Sequence, residues 1–352
     1  MQPNEADIDE ETPETLYEQK QITVDKGQEL LRIDKYILAR VMGATRTKVQ
    51  KGIAAGLVTV NGNTVKPNYR VRPADEITVY TETDPELSEI LPEQIPLDIV
   101  HEDEHIIIVN KPAGMVVHPG CGNYTGTLIN GIAGYLQRTN PSLTADNALP
   151  RFGLVHRIDK YTTGLIVLAK TDVAMQSLAK QFANHTTQRQ YLALVWGNVE
   201  SDSGTVVAHV GRHQRFRKLF TAYPDGDFGK DATTHYKVLE RFNYVSLIQC
   251  VLETGRTHQI RVHMKHVGHP LFADDTYGGN KIVKGTVFTK YKQFVENCFA
   301  LCNRQALHAQ TLGFVHPGTG LPVHFNSTVP ADMQAVIEKW RGYIAPKNYE
   351  AN

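Results

Sequence analysis

His156, Arg157, Asp159 and Lys160 fall within five consecutive positions between two apolar runs, Phe152 to Val155 and Leu165 to Ala169. Both runs read as strands, so these polar side chains must project near one sheet edge. A carboxylate in that place can act as nucleophile, general base or electrostatic stabiliser of a developing cation. Charges so placed cost solvation free energy unless they are paired or used. An arginine-aspartate pair that merely pins the loop fits the spacing equally well.

Three further segments carry residues able to do chemistry. Ile106 to Val109 is an apolar strand feeding the turn Lys111-Pro112-Ala113-Gly114, which could hold Lys111 against a phosphate, although such a corner is common in any fold. Gln188 to Trp196 reads as a strand with Tyr191 at its mouth, where a tyrosine is usually half buried with its hydroxyl in water. After Gly255, Thr257 is an N-cap candidate for a helix. On that helix His258, Arg261 and Lys265 share a face, while Ile260, Met264 and Val267 form an opposite, apolar one. His258, His263, His266 and His269 hint at a metal. No acidic or cysteine partner joins them at ligand spacing, and Arg261 and Lys265 would repel a cation, so no metal is expected.

Several elements are needed to bring these groups together, and 352 residues at 41% hydrophobic content can supply two domains. Residues 1–24, with seven acids against Lys20 alone in the first twenty, read as a disordered tail. Residues 25–82 read as a small α+β unit. Helical spacing at Leu30, Ile33, Ile37 and Val41 is followed by a second helix from Thr45 to Ala55. A strand then enters an Asn61-Gly62 turn, with returning strands at Val65 and Ile77 to Tyr80. Nine basic residues face three acids between Leu30 and Tyr80. Arg46, Lys48 and Lys51 lie among them on the second helix, a patch suited to gripping phosphates without reading bases, or else an idle basic surface. Residues 83–97, acidic and containing Pro85, Pro92 and Pro96, read as a linker, and residues 98–340 as a larger α+β domain. Residues 341–352 read as a C-terminal tail.

The net charge is zero, which by itself argues against a nucleic-acid binder. The acids are concentrated, however: residues 81–104 hold nine and no Lys or Arg. Outside that segment and the N-terminal tail the chain is basic. Further along, Arg212, Arg215, Arg217 and Lys218 form a basic cluster with Phe216 available for stacking; half of it could equally be a solvated loop. No apolar run is long enough for a membrane span and no leader is visible, so a cytoplasmic place is expected. Four cysteines without a C-x-x-C pair read as reduced and buried. No glycine-rich dinucleotide or phosphate loop is present.

Through Arg32-Ile33-Asp34-Lys35, Thr45 to Lys51 and Gly56 to Gly62, the small unit resembles the S4 RNA-binding domain. The runs His156-Arg157-Ile158-Asp159-Lys160, Tyr191 to Val195 and Gly255 to His263, in this order, resemble the RluA-type pseudouridine synthases over nearly all of residues 30–330. Gly229 to Tyr236 and Gly268 to Leu271 support the likeness. The leading S4 unit narrows it to the branch acting on large-subunit ribosomal RNA, the synthase D type. The resemblance implies an α+β catalytic domain with a mixed, largely antiparallel central sheet and flanking helices. It implies isomerisation of uridines to pseudouridine in structured RNA by base flipping, with RNA as partner, no cofactor, no membrane and a monomeric protein.

Residue by residue, the resemblance makes Asp159 the catalytic carboxylate, Tyr191 the ring that stacks on the flipped base, and Arg261 the cation that keeps Asp159 ionised. Arg157 would enter the RNA stack in place of the extruded uridine. Ile158 and Ile260 would wall the base pocket, and Lys111 and His156 would contact substrate or support the site. Arg212, Arg215 and Arg217 would add RNA contacts. Two departures stand out: Tyr161 and Thr162 replace the usual acidic residue and its neighbour, and Ala273 stands where the family commonly has glycine. A catalytically dead RNA-binding assembly factor and a hydrolase releasing uracil are the competing readings.

Overall fold

The computed structural model describes residues 17–41, 44, 46–81, 90–120, 123–141, 149–214, 216 and 219–345. The chain divides into two compact units, one ending at Ile90 and one starting at Leu91.

The first unit contains β1 (Tyr17–Thr23), α1 (Ile33–Leu38), α2 (Arg46–Ala54), β2 (Val58–Val60), β3 (Asn63–Thr64) and β4 (Glu76–Thr81). Its sheet runs β1-β4-β2-β3, and Ile33, Tyr36, Ile37, Val49, Ile53 and Ile77 form its core. Asn61 and Gly62 both take the left-handed backbone that a tight hairpin turn requires. The N-terminal boundary expected after residue 24 moves forward. Residues 17–23, expected in the tail, pair antiparallel with β4 from Tyr17 opposite Thr81 to Thr23 opposite Glu76. An edge strand needs only backbone groups to pair, so a mostly polar run can take that place.

The second unit begins with β5 (Ile99–Glu102), β6 (Ile106–Lys111), α3 (Leu128–Thr139), β7 (Thr163–Ala169), α4 (Asp172–Ala183) and β8 (Gln188–Trp196). Strands β9 (Ser203–Val207), β10 (His209–Arg212), β11 (Phe220–Tyr223), β12 (Thr233–Arg241) and β13 (Val245–Leu252) follow. It closes with α5 (Gln259–His266), α6 (Thr289–Leu301), β14 (Leu307–Val315), β15 (Pro322–Asn326) and α7 (Ala331–Ile344). The main sheet runs β5-β6-β7-β14-β8-β13-β12-β9, with β15 also on β14. Among the described strands only β7 and β14 pair in parallel, so the sheet is mixed and largely antiparallel, as expected. Helix α4 covers β6, β7 and β14, and α6 and α7 pack Trp340 and Val295 against Trp196 and Phe272.

Three further expectations need correction. Leu91 and Glu93, placed in the linker, are bound to the second unit: Asn130 donates to the Leu91 carbonyl at 2.8 Å, and Glu93 N–H donates to the Asn130 carbonyl at 3.0 Å. Helix α7 carries residues 341–344 of the supposed C-terminal tail. The run before Asp159 is no strand but a single 3-10 turn, Pro150–Gly153, with one bridge from Leu154 to Leu168. Of the expected tails and linker, residues 1–16, 83–89 and 346–352 lie outside the described residues, as does residue 82 of the small unit.

Candidate active site

The segment carrying Asp159 has no regular structure of its own, and its shape is imposed by donors from elsewhere. The Asp159 carbonyl accepts from Thr162 N–H at 3.1 Å. The Lys160 carbonyl accepts from Lys111 Nζ at 3.0 Å, and the Tyr161 carbonyl from Arg304 Nη1 at 3.0 Å. Three successive carbonyls are therefore fixed, which leaves the Asp159 side chain little freedom. Arg304 is in turn held by Asp332 of α7, at 2.7 and 2.9 Å.

This assignment of Lys111 overturns the expectation of a phosphate contact. The side chain is fully buried and its ammonium donates to the carbonyls of Pro112, Met115 and Lys160, so no donor is left over. Burial, with Arg304 adding to it and Asp159 opposing it, pushes the lysine down to about 7. His156 is likewise committed to the scaffold. Its Nε2 accepts from Val167 N–H at 3.0 Å, its ring stacks on Phe182 at 4.4 Å, and burial holds it near 3, hence neutral.

Helix α5 brings Arg261 to the loop. His258 occupies the N-cap with a left-handed backbone, φ 58°, displacing the expected Thr257. Gln259 is buried and donates to the Thr233 carbonyl and Thr234 hydroxyl, while His263 meets the same hydroxyl at 2.9 Å, so the helix is bolted to β12. The Arg261 side chain is only 5% exposed. Asp274 makes that burial tolerable by taking Nε and Nη2 at 2.7 and 2.9 Å. The remaining Nη1 donates to Asp159 Oδ2 at 3.1 Å. Burial opposes the guanidinium charge, but Asp274 and then Asp159 outweigh it and hold Arg261 well above the usual range.

Asp159, Tyr191 and Arg261 line one cleft of about 560 Å³, together with Arg157, Ile158, Ile260 and His156. Tyr191 reaches it because Ala309 of β14 lies opposite both Gly164 of β7 and Tyr191 of β8. Burial raises the Tyr191 hydroxyl pKa, with Asp159 adding and Arg189 opposing, so it stays protonated. Ile158 and Ile260 are 6% and 4% exposed, giving apolar walls, whereas Arg157 is exposed. A carboxylate paired with a guanidinium, an aromatic hydroxyl and two aliphatic walls suit a flat ring bonded to a carbon that turns electrophilic.

Sequence reasoning missed Asp274, Arg189 and Arg304, and placed His258 on the Arg261 face without giving it a role. His258 Nε2 comes within 3.9 Å of Asp159 Oδ1, and its Nδ1 pairs with the Tyr277 hydroxyl at 2.8 Å. The Tyr277 hydroxyl also accepts from Phe220 N–H at 3.3 Å, so one tyrosine ties His258 to β11. Alternation along β8 could have found Arg189, two positions before Tyr191. Ala273 carries φ 59°, the backbone for which glycine is the easier residue. Away from the cleft, Arg46 and Lys51 are exposed on α2, and Arg212 lies over the Phe220 ring at 5.2 Å. Arg215, Arg217, Lys218 and the Lys48 side chain lie outside the described residues.

Residues 105–266 match the RNA pseudouridylate synthase family, and residues 31–77 match the S4 domain. An uncharacterized RNA pseudouridine synthase of Chlorobaculum parvum is 46% identical over 321 residues, covering 91% of this chain and 97% of the relative. A ribosomal large subunit pseudouridine synthase D of Xylella fastidiosa is 40% identical over 92% of both chains. Among solved structures, the human RNA pseudouridylate synthase domain containing 4 superposes with a TM-score of 0.55 at 23% identity, covering 69% of this chain and 92% of its own. That likeness speaks for the fold.

Proposed function

Because the chain belongs to the RNA pseudouridylate synthase family and is an RNA pseudouridine synthase, an isomerase, we propose that it acts on uridines of large-subunit ribosomal RNA with Asp159 as the catalytic carboxylate. The supporting observation is the Asp159–Arg261 pair at 3.1 Å in a cleft that also holds Tyr191. The target uridine leaves the RNA stack, Arg157 fills the gap, and the flipped base lies between Ile158, Ile260 and the Tyr191 ring. Flipping costs a few kcal/mol, which backbone contacts and the inserted guanidinium offset.

The N1–C1′ bond then breaks, the uracil turns, C5 bonds to C1′, and the C5 proton departs. Positive character at C1′ is what Asp159 answers, by stabilising it, by adding to the sugar, or by helping to remove the C2′ proton. Arg261 pairs with the carboxylate and orients it, and a protonated Tyr191 can stack on the base and relay a proton. The isomerisation is redox-neutral and asks for no cofactor. The S4 unit adds a phosphate grip through Arg46, Lys48 and Lys51, and the protein works as a cytoplasmic monomer. The name of the Xylella relative supports the ribosomal assignment.

Ribosomal RNA labelled with tritium at uracil C5 tests the reading. The expected outcome is tritium release with the base still attached to the chain. Free uracil would mark a hydrolase, and neither product would mark a binding protein; either result contradicts the proposal.

A further inference from the structure

Arg189 and Tyr191, two apart on β8, send their side chains from the same strand face into the cleft. Arg189 is 8% exposed, its Nε has no hydrogen-bond partner, and among the described residues it forms no ion pair. Its neighbours are the Phe182 ring, 5.6 Å from the guanidinium carbon, and Gly255. A Cβ on Gly255 would stand 2.8 Å from Arg189 Nη1, and the Gly255 backbone does not require glycine for its torsion, so the missing side chain leaves room for the guanidinium. Asp159 is the one acidic side chain among the residues lining the cleft, and it is taken by Arg261. Buried charges are normally paired, and leaving one without a counterion is strongly unfavourable. A cation kept in that condition at the wall of an open cleft is waiting for an anion.

We propose that Arg189 receives a phosphodiester of the RNA strand bearing the target uridine and so fixes how deeply that nucleotide is seated. The inference rests on the functional reading above. The guanidinium fork presents parallel N–H groups that match two phosphate oxygens, which a lysine ammonium cannot do. Arg189 is thus a binding and positioning residue, distinct from Arg261, whose fork is consumed by Asp274.

The test uses a ribosomal RNA fragment that the wild-type protein isomerises, made with single neutral methylphosphonate linkages around the target uridine. Wild-type affinity should drop roughly tenfold at one linkage. Arg189→Met should show that loss on unmodified RNA, no further loss at that linkage, and a salt slope of log K smaller by about one. Arg189→Lys should fall between. Without RNA, Arg189→Met should melt higher than wild type, since an uncompensated buried charge is gone, and this also checks that the variant folds. Wild-type affinity and salt slope in Arg189→Met would overturn the proposal. So would a fall in kcat alone with the linkage effect intact, which would place the guanidinium on the uracil ring. If the wild-type protein isomerises no RNA, the functional reading falls and this one with it; a wild-type enzyme that turns over beside an indifferent Arg189→Met refutes the Arg189 assignment alone.

Discussion

Two carboxylates share Arg261, and the sharing is unequal. Asp274 is fully buried and takes two of the guanidinium nitrogens, while Asp159 remains partly open to the cleft and takes one. Asp274 therefore orients the cation that orients Asp159. Replacing Asp274 by Asn removes the buried counter-charge while keeping the shape, and should cost about 3 kcal/mol of stability by denaturant unfolding. It should also lower kcat more than KM, because the Asp159 carboxylate loses its fixed partner. Unchanged stability and turnover would show that Asp274 carries neither load. Sequence spacing places Asp274 thirteen positions beyond Arg261, past the end of the helix, so no periodicity argument could have paired them.

At the scale of elements, the site is a junction of β7, β8 and α5 with β14 wedged between the two strands. Gly164 permits the wedge: with φ 115°, its Cβ would come within 2.2 Å of the Ala309 carbonyl oxygen. Gly164→Ala should cost roughly 2 kcal/mol or more of stability, read as a lower melting temperature, and separate Asp159 from Tyr191 enough to lower activity; a neutral effect on both would discount this account. The charged loop, the Tyr191 strand and the Arg261 helix were legible because polar residues interrupt apolar periodicity there. The loop's tethers were not, since Lys111 and Arg304 lie 48 residues before and 145 after Asp159 in the sequence. Lys111 in particular looks like a surface cation in the sequence, and only the three carbonyls around its ammonium reveal it as a buried bolt. Strand β1 was missed because polar Tyr17 to Thr23 carries little apolar signal, its pairing being supplied by β4.

For the whole molecule, each unit has its own core: Ile33, Tyr36 and Ile77 anchor the first, and the larger clusters around Trp196 and Leu165 the second. A chain starting at Leu91 should thus fold, bind ribosomal RNA more weakly and with a shallower salt dependence, and retain the single-turnover rate once RNA is saturating. Equal affinity in the shortened chain would remove the RNA-gripping role from the S4 unit. The central claim concerns one side chain, and Asp159→Asn tests it most directly, because it keeps the shape of the group facing Arg261 while an amide replaces the carboxylate. Tritium release from C5-labelled ribosomal RNA should fall to background in this variant while RNA affinity stays within a few fold of wild type; release at close to the wild-type rate would contradict the account.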